Sequence, residues 1–213
     1  MKAGEVYGAM LTGMGRKDWW HMERGFSPPQ FEVCLGAILT QNTNWRNVER
    51  ALALMIEKGL TTPEKILSAD MKTLEDAVRP SGFYKQKAQR LKLFAGFVSG
   101  FGGFPEFSKN VTREELLKLK GIGPETADSI LLYALGRPVF VIDAYTKRIF
   151  TRLGFPERKG YEEWRRFFED SLPRDVKLYK EFHALIVEHA KRHCRKEPLC
   201  EECFLNGKCA RKI

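Results

Sequence analysis

The sequence predicts an all-α protein. Apolar residues recur at helical spacing along most of the chain, capping signals precede several of those stretches, and a strand pattern occurs only in PVFVI at residues 138–142, too short to build a sheet. In chain order, residues 44–58 place Val48, Ala51, Leu52 and Met55 on one helical face, with Thr43 or Asn44 as N-cap. TTPE at residues 61–64 reads as a capping box with Pro63 early in the helix. Residues 84–98 form a basic amphipathic helix stopped by Gly100, Gly102 and Gly103. A second capping box at residues 112–115 opens a short helix ending at Leu119 or Lys120, and a further helix at 124–135 is closed by Gly136. Further helices are expected at 144–153, 161–171 and 177–193. Composition shifts at 136–138 and 154–160 suggest hinges between helical units.

Composition bounds the function classes. With 43% hydrophobic and 30% charged residues the chain can bury a core, which excludes a disordered tail or a fibre. No apolar run approaches the roughly 18 residues a membrane span requires. The first twenty residues carry no apolar signal region, so a cytoplasmic protein with no membrane partner is expected. Thirty-six Lys+Arg against 27 Asp+Glu leave a net charge of +9, which favours a polyanionic partner.

Cys34 lies alone in the apolar run FEVCLGAIL and reads as a buried small hydrophobe. Cys194, Cys200, Cys203 and Cys209 follow the pattern C-x5-C-x2-C-x5-C. A cytosolic chain argues against disulfides. Structural zinc is the rival, but only Cys200 and Cys203 form a short knuckle, and the spread of four thiolates favours a [4Fe–4S] cluster. Between the two central helices, Gly121 and Gly123 allow positive φ and close backbone approach. Their N–H groups, at a helix start flanked by Lys118 and Lys120, make an anion site suited to phosphate, where an ordinary packing turn is the alternative.

Leu119-Lys-Gly-Ile-Gly-Pro-Glu-Thr-Ala127, then Val141-Ile-Asp143, then the four-cysteine tail, resembles the helix–hairpin–helix DNA glycosylases of the endonuclease III type. The resemblance runs from about residue 19 to 209. It implies two helical domains with the active site in the cleft between them. One would be a helical barrel at 27–136 holding the hairpin (about 112–135), the other a discontinuous domain of 1–26 plus 137–213 with the cluster loop 194–209. It also implies a hairpin gripping the backbone of double-stranded DNA through Lys120, Gly121 and Gly123, and Asp143 as catalytic residue; a monomer is expected because bound DNA must occupy one asymmetric face. The cysteine pattern departs from the family at its first gap, five residues where six is usual.

Bifunctional members carry a Schiff-base lysine two positions after the second glycine, where this chain has Glu125. A carboxylate cannot form that adduct, so AP-lyase activity is expected to be absent or weak, with Glu125 near the substrate. A carboxylate at Asp143 would stabilise the oxocarbenium-like transition state and orient water, while an N-cap role accounts for it equally in local terms. Trp19-Trp20 and the segment ending Thr-Gln-Asn-Thr-Asn-Trp45 look like the alkylpurine branch, typified by the bacterial 3-methyladenine glycosylase of this fold. By that resemblance Trp19, Trp20 and Trp45 line a pocket for a cationic methylated base, where core packing is the plain alternative. His21 and Ala144 depart from that branch, which usually has Pro and Lys there. Gln41 and Asn42 match the segment that fills the gap left by a flipped base, and Phe83 the loop that wedges the opposite strand, or else packs beneath it. Lys85, Lys87 and Arg90 would then meet phosphates. Two other readings stand beside this one: a mismatch or uracil/thymine glycosylase on the same fold, and a non-catalytic, redox-sensing DNA-binding protein.

Overall fold

The structure, a computed structural model, describes residues 1–17 and 25–210. Among the described residues all regular structure is helical: α1 (Ala3–Met14), α2 (Pro29–Leu39), α3 (Trp45–Glu57), α4 (Pro63–Ser68), α5 (Met71–Val78), α6 (Tyr84–Gly100), α7 (Phe104–Asn110), α8 (Arg113–Lys118), α9 (Pro124–Ser129), α10 (Ala144–Arg152), α11 (Gly160–Ser171) and α12 (Val176–Arg192). None of these helices is long and apolar enough to cross a membrane. The chain divides into two compact units, Trp20–Leu135 and Met1–Trp19 with Gly136–Ile213.

In the unit Trp20–Leu135, α4 and α5 pack on α6, α3 packs on α5, and α2 lies against α6 and α9. The core is aromatic, with Phe31 stacked on Phe94 at 6.2 Å and Phe94 edge-on to Phe107 at 5.6 Å. Helix α2 buries Phe31 through Gly36 without interruption, so it carries no polar stripe for a period-based reading to detect. Cys34 sits inside it, fully buried, where burial pushes its thiol up and leaves it a packing residue.

The caps explain where the helices begin. Asn44 accepts from Asn47 N–H at 3.1 Å, and Thr112 with Glu115 forms the expected reciprocal box. The expected box at residues 61–64 is shifted: Thr62 is the cap, accepting from Lys65 N–H at 3.3 Å, and Glu64 falls inside the first turn. Beyond α9 the helix continues as a π-turn over Ile130–Ala134, closed by Leu135 N–H on Ile130 O at 3.1 Å.

In the other unit, α1 packs on α11 and α12, and α10 packs on α12. Its core stacks Phe140 on Phe168 at 4.2 Å and sets Phe150 edge-on to Phe168 at 4.6 Å. PVFVI is not a strand. Phe140 N–H is taken by the Glu169 carboxylate at 3.0 Å and Ile142 N–H by the Tyr161 hydroxyl at 3.2 Å, so side chains supply the partners that a neighbouring strand would offer. The run, buried from Phe140 on, ends at Asp143.

Candidate active site and nucleic-acid interface

Asp143 is the N-cap of α10 and is 9% exposed. Its Oδ1 accepts from both the backbone N–H and the hydroxyl of Thr146, each at 2.7 Å. Its Oδ2 faces His183 Nε2 of α12 at 3.6 Å. The two roles anticipated for this residue therefore fall on different oxygens: one caps the helix, while the other is not occupied by the cap. Burial raises the carboxyl's pKa, but the His183 imidazole and the two Thr146 donors outweigh it and hold it below the ordinary carboxylate value. His183 is a site residue the sequence reading missed. It lies forty positions downstream on a helix whose spacing reads as plain core, and only the packing of α10 on α12 brings it to Asp143.

The hairpin joins α8 to α9. Arg113 and Asp128 bolt the two helices together, Nε to Oδ1 at 2.6 Å and Nη2 to Oδ2 at 3.1 Å, with Asp128 fully buried. Gly121 has φ +90°, which favours glycine, and a Cβ there would lie 2.2 Å from Arg90 Nε, so a side chain would have to displace Arg90. Gly123 is different: it is extended, and a Cβ there would meet nothing within 4 Å. Lys118, Lys120 and Glu125 are exposed around the turn. Glu125 stands in the first turn of α9, where a carboxylate is favoured by the helix dipole.

Two further segments of this unit carry residues expected to act on DNA. Asn42, φ 55°, and Phe83, φ 46°, are the two non-glycine residues with positive φ among the described residues. Phe83 is 62% exposed, so it does not pack beneath its loop. Gln41 is turned toward the hairpin: its amide donates to Gly121 O and Thr126 Oγ1, both at 2.9 Å, and its carbonyl accepts from Arg90 Nη1. Trp45 is half-buried at the first position of α3, and Lys85 is exposed on α6. Lys87 departs from the phosphate role expected of it. It is 1% exposed, and its Nζ donates to Leu39 O at 2.8 Å and Ser81 O at 2.6 Å. Arg90 likewise faces Gln41 and Gly121. The helical period carried the signal: Lys87 falls on the stripe of Leu91, Phe94 and Val98, which the fold turns inward, while Lys85 falls off it. Trp19 and Trp20 lie outside the described residues.

Cys194, Cys200, Cys203 and Cys209 are partly buried thiols, none in a disulfide, that line one pocket together with Arg152, His189, His193 and Leu199. Burial and the three neighbouring thiols push the Cys203 thiol above its ordinary value. Arg148 and Arg152 of α10 hold the loop by its backbone, on the carbonyls of Cys194 at 3.0 Å, Arg195 at 2.5 Å and Lys196 at 3.0 Å. Among the described residues no three His, Cys, Asp or Glu side chains converge as a ligand group for a metal ion. Four cysteine thiols lining one pocket are, by chemical type, the donor set an iron–sulfur cluster takes.

Comparison with known proteins gives the family of the chain. Residues 35–174 match the model of HhH-GPD superfamily base excision DNA repair proteins. The chain is 46% identical over 215 residues to a candidate DNA repair glycosylase of Methanocaldococcus jannaschii, covering 98% of this chain and 96% of that one. It is 34% identical over 182 residues to endonuclease III of Thermotoga maritima, covering 84% and 82%. The crystal structure of the H. pylori 3-methyladenine DNA glycosylase bound to 1,N6-ethenoadenine superposes with a TM-score of 0.80 at 33% identity, over 90% of this chain and 98% of that one. A non-covalent endonuclease III–DNA complex shares the fold, with a TM-score of 0.80 at 22% identity over 98% and 94%. With a helix–hairpin–helix ahead of a buried aspartate at a helix start, the chain belongs to the HhH-GPD superfamily of base excision DNA repair glycosylases.

Proposed function

We propose that the protein is a monofunctional DNA glycosylase that flips an alkylated purine, of the 3-methyladenine or 7-methylguanine type, out of double-stranded DNA and hydrolyses its N-glycosidic bond. The observation that carries this is Asp143, a buried carboxylate held ionised by Thr146 and His183 in a chain of this family. As the C1′–N bond breaks, the cationic base leaves as a neutral purine with the bonding electrons. Asp143 Oδ2 stabilises the positive charge left on the sugar. Water adds to C1′, and its proton passes to the carboxylate or to solvent. A methylated purine is already a good leaving group, so one carboxylate suffices without a general acid. The N–H groups at Gly121 and Gly123 and the side chains of Lys85 and Lys120 hold the backbone, Asn42 fills the space of the extruded base, and Phe83 wedges the opposite strand. Glu125, where a lyase would need its amine, leaves an intact strand with an abasic site. The likeness to the 3-methyladenine enzyme and the aromatic Trp45 support the choice of base.

Cys194, Cys200, Cys203 and Cys209 would hold a [4Fe–4S] cluster, which when bound ties the loop down through four thiolate bonds. The protein would act as a monomer in the cytoplasm. The deciding experiment is base release from methylated duplex DNA, with strand analysis before and after alkali. Free methylpurine with breaks only after alkali is expected; breaks without alkali would overturn the monofunctional reading, and no release would overturn the choice of base.

A further inference from the structure

Lys87 has no phosphate to meet, yet its ammonium group is buried at a cost that only specific partners offset. Its partners are two backbone carbonyls from different parts of the chain. Leu39 is the last residue of α2, three positions before Asn42, and Ser81 lies two positions before Phe83. The backbone of Lys87 is committed to the same place, since its N–H closes the first turn of α6 onto Phe83 O at 3.0 Å. The clamp thus sits at the root of both segments that carry a non-glycine residue in the left-handed region. Such conformations persist only where the surroundings over-determine them, and they gather at sites where geometry must be set in advance. On the same face of α6, one turn on, Arg90 binds Gln41, which in turn binds Gly121 of the hairpin. Three sequence-distant segments are therefore fastened to one helix face by side chains that never reach the surface together.

We propose that Lys87 is a positioning residue for base extrusion: its buried ammonium fixes the Asn42 and Phe83 loops at one separation, so that one fills the gap in the stack as the other wedges the facing strand. This rests on the roles given above to Asn42 and Phe83. Preorganisation of this kind affects recognition of an opened duplex and not general attraction to DNA, which comes from exposed Lys side chains.

The test is equilibrium binding of the full chain to a duplex with a tetrahydrofuran abasic-site analogue and to the same duplex intact. The expected result for Lys87→Met is a fall of about tenfold in preference for the abasic duplex, with affinity for the intact duplex within about twofold. In a Phe83→Ala background the same change should lose little more, because the clamp acts through that loop. Equal losses on both duplexes would make Lys87 merely structural and overturn the proposal, as would an unchanged preference. If Lys87→Met does not fold, Lys87→Gln, which keeps one amide donor, is read by the same two outcomes. A wild-type chain with no preference for the abasic duplex would instead remove the base-displacing reading on which the clamp stands.

Discussion

Each unit of this molecule buries a charged side chain against a helix end, and the two are opposite in sign and in reach. In the unit built from the two ends of the chain, Asp143 places an anion at the start of α10, with Thr146 three residues away supplying two of its bonds. In the unit Trp20–Leu135, Lys87 places a cation at the end of α2, with one partner six residues away and another 48 residues away. Both agree with the helix dipole, positive where helices begin and negative where they end. The difference is how each charge is held. A capped carboxylate is a local device that leaves one oxygen for chemistry, whereas the ammonium joins two loops and, being buried, does not present itself to a ligand.

The comparison is broken most severely at Asp143. Asp143→Asn preserves a capping side chain and removes the charge, so base release should fall roughly a hundred- to a thousandfold while the melting temperature changes little. A comparable rate in the variant would leave the carboxylate as a cap alone. Next comes His183→Phe. Loss of the imidazole raises the Asp143 pKa, so the acid limb of the pH–rate profile should move to higher pH. An unmoved limb would show that Thr146 alone sets the ionisation.

Stability rises with pH on account of both charges, each in its own window. The Asp143 carboxyl is lowered in the fold, so its contribution is present above the unfolded value and lost as pH falls through the folded one. The Lys87 ammonium is also lowered, by burial first and by Arg90, to about 8 from 10.5. Between those values the unfolded chain keeps a proton that the folded chain has released, so stability should rise with pH across that window. Urea melts from pH 8 upward should show the rise in the wild type and its loss in Lys87→Met.

Smaller effects sharpen the picture of the hairpin. Gly121→Ala strains a residue at φ +90° and drives a methyl into Arg90, which should cost about 1–3 kcal/mol in chemical denaturation. Lys85→Ala, on the exposed side of the same helix as Lys87, should weaken binding to every duplex alike and reduce the salt slope by about 0.9, a single phosphate contact. A sequence-dependent loss there would assign Lys85 a role in reading the base.

Most of the helices were legible because their signals are local. The caps at Asn44, Thr112 and Asp143 act within three or four residues, and the glycines near residue 121 mark a turn wherever they occur. Helix α2 was not legible, since burial on all sides removes the polar stripe that reveals a period. PVFVI misled because an extended apolar run reads the same whether its N–H groups go to a strand or, as here, to Glu169 and Tyr161.

Of the candidate site, the sequence by itself determined Asp143 as a helix start, the glycine turn and the four cysteines, all defined by short spacings. Only the tertiary structure decided that His183 attends Asp143, that Gln41 leans on Gly121, and that the Lys87 ammonium is taken up by the carbonyls of Leu39 and Ser81. The physical reason is the range of the interactions. Capping and turn geometry are settled by neighbours along the chain, whereas the Leu39 carbonyl on Lys87 and the His183 imidazole beside Asp143 are delivered by packing from 40 or more residues away.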